Sequence, residues 1–74
     1  LINLLLAPRG ESLNIVKINY KKIGNEKEIR HLTNLGFVTG AKIDVLTEAS
    51  GNLIVKIKDS KMAIDEKIAR NIFV

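Results

Sequence analysis

The chain has 74 residues, 46% of them hydrophobic and 27% charged, with no cysteine and a net charge of +4. A typical domain holds roughly 100 to 200 residues, so these figures describe one small globular domain, residues 1–74, and exclude a multi-domain architecture. Disulfides and thiolate metal sites are excluded with them, and a catalytic cleft, whose pocket needs roughly 300–1,000 Å³ between braced walls, is difficult to build at this size.

In chain order, Leu1 to Ala7 is the most apolar stretch. A membrane-spanning helix needs about 20 apolar residues, and a secretory signal needs a basic segment before its apolar run, whereas Pro8, Arg9 and Gly10 end this one. The alternative is a single helical turn capped by Asn3, laying Leu4, Leu5 and Leu6 across the core. Residues 11–20 carry apolar side chains at Leu13 and Ile15, then at Val16, Ile18 and Tyr20. The phase slips by one residue, which predicts one long strand with a bulge, curling to serve two sides of a sheet. Asn25 followed by Glu28 resembles a capping box and predicts a helix over about 25–35, closed by Gly36. Its stripe Ile29, Leu32 and Leu35 is expected to be buried, with Leu35→Ala costing about 2–5 kcal/mol.

Ile43–Leu46 and Leu53–Ile57 read as strands joined by a loop over 48–52, and Asp59-Ser60 as a tighter turn before Met62–Ile64. Asp65 caps a last helical turn over 66–71, and Ile72–Val74 returns as a strand. About five strands, one inserted helix, short helical turns near both ends and short connections predict a mainly β, partly open small barrel.

Chemistry-bearing groups are few. The chain has one histidine, no Gly-x-Ser-x-Gly or His-Glu-x-x-His pattern and no phosphate-binding loop, so no catalytic, cofactor or metal site is assigned and a non-enzyme is expected. The polar helix face Lys27, Arg30, His31 and Asn34 is the strongest candidate for a partner surface, with Thr39 and Lys42 in the turn after the helix. Nucleic acid is a rival partner for a basic barrel. Only Tyr20, Phe37 and Phe73 are aromatic, however, and with at least Phe37 and Phe73 expected inside, binding should be weak and salt-dependent. Self-association through an open sheet edge and the leucine-rich start is a third reading.

The segment Arg30-His31-Leu32-Thr33-Asn34-Leu35-Gly36-Phe37-Val38-Thr39-Gly40 resembles the FeoA family of small cytoplasmic proteins of bacterial ferrous iron uptake. Gly10-Glu11, Ile43–Leu46, Gly51-Asn52, Ile54–Ile57, Met62–Ile64, Ala69 and Ile72–Val74 continue the resemblance across residues 3–74. It implies an SH3-like barrel with a helix inserted after the first long strand. It also implies a cytoplasmic accessory of the FeoB transporter, a membrane protein whose cytoplasmic part includes a GTP-binding domain. The same module occurs in metal-dependent repressors of the DtxR type, joined there to a DNA-binding domain. Thr39 and Leu53 stand where many family members have proline, which should alter turns and keep the barrel.

Overall fold

Alternation of buried and outward side chains builds the main sheet. In the computed structural model, which describes residues 1–74, Ile43 and Val45 of one strand, Leu53, Val55 and Ile57 of the next, and Ile64 of a third share one face. All six are at most 4% exposed. These strands are β3 (Lys42–Ala49), β4 (Asn52–Ile57) and β5 (Ser60–Asp65). The β3–β4 turn is only Ser50-Gly51, both at positive φ (52° and 82°), whose backbone twist matches that of the flanking strands. The loop expected over 48–52 is therefore shorter, because Glu48 pairs with Leu53 and Ala49 with Asn52. A register shift between Val45 and Thr47 places Leu46 as an extra residue and reverses the facing of the residues after it. Glu48 then meets Arg9 at 2.7 Å.

The long strand expected over residues 11–20 is instead two short strands in different sheets. β1 (Ser12–Asn14) pairs with β3, and β2 (Lys17–Ile18) pairs with β6 (Ile72–Phe73). The phase slip marks the crossing between them. Ile15 is buried and held by Ile15 N–H to Ala41 C=O (2.9 Å) and Gly40 N–H to Ile15 C=O (2.7 Å), while Val16 turns outward, 47% exposed. Tyr20 is not in a strand. It opens a helical turn, α1 (Tyr20–Ile23), which sends Ile23 into the core and lets the Tyr20 hydroxyl donate to the Phe37 carbonyl at 2.9 Å. Six strands result, in sheets ordered β1-β3-β4-β5 and β2-β6, with no closed barrel.

The helix α2 (Glu26–Leu35) starts and stops where its caps require. Asn25 accepts from the Glu28 backbone N–H at 2.9 Å. The return half of the capping box is missing, because the Glu28 carboxylate lies over Gly24, where an added Cβ would come within 2.6 Å of it. At the far end Gly36, at φ +109°, donates to Thr33 and Phe37 donates to Leu32, the paired bonds of a left-handed helix end. The buried stripe narrows to one residue. Each residue advances about 100° around a helix, so a step of three drifts by about 60° and leaves Ile29 and Leu35 on opposite flanks of Leu32. Leu32 is 6% exposed and Leu35 37%. The burial expected of Leu35 is thus overturned. We expect Leu32→Ala to cost about 2–5 kcal/mol and Leu35→Ala less than about 1 kcal/mol, measured by chemical denaturation.

The first and last elements close the structure. Asn3 caps a 3-10 turn over Leu4–Leu6 by accepting from the Leu5 N–H at 2.9 Å. Of its leucines only Leu4 is fully buried, and Leu6 is exposed. Asp65 accepts from the Ile68 N–H at 2.8 Å and starts α3 (Glu66–Arg70), which places Ala69 in the core. Ile2 and Val74 then exchange backbone hydrogen bonds of 3.2 and 2.9 Å. One cluster of 14 buried side chains, from Leu4 to Ile72, joins both sheets and the helices.

Candidate partner-binding face

The polar positions of α2 are exposed as their spacing requires. Lys27, Arg30, His31 and Asn34 all face solvent, and none makes a side-chain hydrogen bond or ion pair within the chain. They do not form one uniform stripe. About 100° per residue puts Arg30 and Asn34 nearly opposite Leu32 and turns Lys27 and His31 toward one flank. That flank borders a cleft of about 460 Å³, floored by Ile23, Leu32 and Ile68 and rimmed by Asn25, Lys27, Glu28 and His31. The cleft draws on α1, α2 and α3. Its floor was not visible from the helix pattern alone, because Ile23 and Ile68 lie far apart in the chain, although Glu28, only about 40° from Leu32, could have been placed there by its helical position.

The remaining expected residues fall elsewhere. Thr39 is exposed in the turn after α2. Lys42 is not in that turn but is the first residue of β3, paired with Asn14 on the outer side of the sheet. Phe37 is fully buried while Phe73 is only half-buried, and Tyr20 is tied to the Phe37 carbonyl. Glu11 precedes β1 in a bend. No three His, Cys, Asp or Glu side chains come together to hold an ion. No helix is long and apolar enough to cross a membrane.

The family model of the FeoA domain matches residues 2–74. The chain belongs to the FeoA family. Among solved structures, an iron uptake regulatory protein FeoA is 22% identical, with TM-score 0.74, covering 96% of this chain and 91% of that one. The zinc complex of Stenotrophomonas maltophilia FeoA, described as an SH3 domain protein and put forward as a ferrous iron transport activating factor, is 19% identical. Its TM-score is 0.78, covering 99% and 88%. A manganese-dependent transcriptional repressor is 17% identical with TM-score 0.75, and the match spans 95% of this chain but 38% of the repressor. No curated protein sequence is detectably similar. Likeness at these identities concerns the fold, and the FeoA fold here is the SH3-like one that the resemblance implied, built from six strands in two sheets.

Proposed function

We propose that this FeoA-family chain is a non-enzymatic accessory of bacterial ferrous iron transport, acting as one domain in the cytoplasm. Its partner is the cytoplasmic part of a FeoB-type transporter, which brings it to the inner face of the membrane. The family match over residues 2–74 carries this reading, and the description of the Stenotrophomonas relative as a transport activating factor supports it. Lys27, Arg30, His31, Asn34 and Thr39 form the contact, with Lys42 at its margin. Exposed cations without internal partners are the groups that steer and orient an encounter with a complementary surface.

Titration of the isotope-labelled chain with the cytoplasmic GTP-binding domain of the cognate transporter tests the proposal. Backbone amide shifts are expected on residues 27–42. Combining Lys27→Glu with Arg30→Glu should weaken binding by about tenfold or more while the spectrum of the free protein stays folded. Unchanged affinity in the folded variant would overturn the helix face. An absence of shifts at saturating partner would overturn direct binding to that domain.

A further inference from the structure

The main sheet carries an unrewarded arrangement of charge on its outer face. Register sets Asp44 opposite Lys56 and Lys56 opposite Lys61, while Lys42 lies two residues before Asp44 on the same side. Alternation with the buried Ile43, Val45, Val55 and Ile57 assigns these side chains to the face away from the core. Opposed residues on neighbouring strands have Cβ atoms about 4.5–5.5 Å apart, where two like charges destabilise the pair. Asp44, opposite Lys56, offsets one of the three lysine charges, leaving the row positive on balance, and no ion pair closes across it, those of the molecule being Arg9–Glu48 and Arg70–Glu66. A surplus of lysine on one face, with Lys56 and Lys61 apposed and no ion pair formed, points to a use outside the fold. The adjoining row is apolar: Ile54 stands opposite Ala63, and half-buried Leu46 sits at the register shift beside it.

We propose that this outer sheet face docks an acidic, partly apolar segment of a partner protein. Its carboxylates would pair with Lys42, Lys56 and Lys61, and its apolar side chains would cover Leu46 and Ile54. The pattern selects a polypeptide. A polypeptide can set carboxylates against the lysines and a Lys, an Arg or a backbone N–H against Asp44, a match of mixed sign that a uniformly anionic polymer or bilayer does not offer. Nucleic-acid bases would find no aromatic ring on this face to stack upon. The surface lies on the sheet and shares only Lys42 with the α2 reading, so Ile54, Lys56 and Lys61 test it separately.

The test uses the labelled full chain and a short synthetic peptide of alternating Glu and Val, with heparin and phosphatidylserine vesicles as competing probes. Peptide-dependent shifts are expected on Lys42, Asp44, Ile54, Lys56 and Lys61. Lys61→Glu converts the repulsive pair into an attractive one, so it should raise the melting temperature while weakening the peptide by about tenfold. Lys21→Glu, an equal charge change on α1, should alter peptide affinity by less than about twofold. The proposal is overturned if millimolar peptide leaves the face unshifted, if both variants weaken binding equally, or if heparin or vesicles bind these residues more tightly than the peptide.

Discussion

Phe37→Ala is expected to leave the chain largely unfolded at 25 °C. Phe37 is the largest fully buried side chain, with 0% exposure, and it sits where the helix end, α1 and the core meet. Its N–H donates to Leu32 at 3.1 Å and its carbonyl accepts from Tyr20 at 2.9 Å, so the backbone that carries the ring is fixed on both sides and cannot readily collapse into the space the ring would leave. Removing a buried phenylalanine costs about 3–5 kcal/mol in lost transfer energy and cavity. A core of this size rarely supplies more than about 3–5 kcal/mol in total, so the cost meets the whole stability. Collapse of amide dispersion and loss of a cooperative melt are the observables. A sharp melt near that of the parent chain would show that neighbouring side chains fill the space, and would contradict a tightly packed site.

Gly36→Ala is the second large effect, and it can be divided into its causes. At φ +109° any side chain strains the backbone, by about 1–3 kcal/mol. A Cβ there would also approach the Ile57 side chain at 2.7 Å, closer than such atoms pack, and Ile57 is itself buried. Overpacking of a filled core adds about 1–3 kcal/mol, for a total of about 2–6 kcal/mol. Gly40 separates the two. It has φ +91° and nothing within 4 Å of a Cβ, so Gly40→Ala should show the conformational part alone. Equal losses in the two variants, measured by urea denaturation with a Gly36→Ala chain already unfolded in water counted as the larger loss, would mean that Ile57 moves aside freely.

Local signals were legible in the sequence, and long-range ones were not. Asn25, Gly36 and Asp65 act through hydrogen bonds to residues within a few positions, so each cap lies where its pattern placed it. The crossing at Ile15–Val16 also left its mark, as a slip of phase. What a slip means depends on whether the next residues find the same sheet or another, and that is decided by β6, more than fifty positions later. Leu35 failed for a different reason, since a three-residue spacing drifts around the helix and only the middle member of three faces inward. For the candidate site, exposure of the α2 cations followed from helical spacing. Membership of the cleft did not, because Ile68 arrives from α3. The opposition of Lys56 and Lys61 was equally hidden, since it depends on the strand register set by the Lys58-Asp59 turn.

The mutual hydrogen bonds of Ile2 and Val74 also impose an order in time. During synthesis the β3–β4–β5 meander can pair as soon as residue 65 has left the ribosome, since its hairpin pairings join strands that follow one another in the chain. The smaller sheet cannot. β2 and the first residues must wait for β6, and until then Leu4, Ile15 and Ile23 lack the cover that Ile72 gives their shared core. The arrival of β6 thus decides when the nascent chain ceases to expose apolar surface, and loss of Ile72 to Val74 would leave every earlier residue present yet the molecule vulnerable to aggregation and proteolysis.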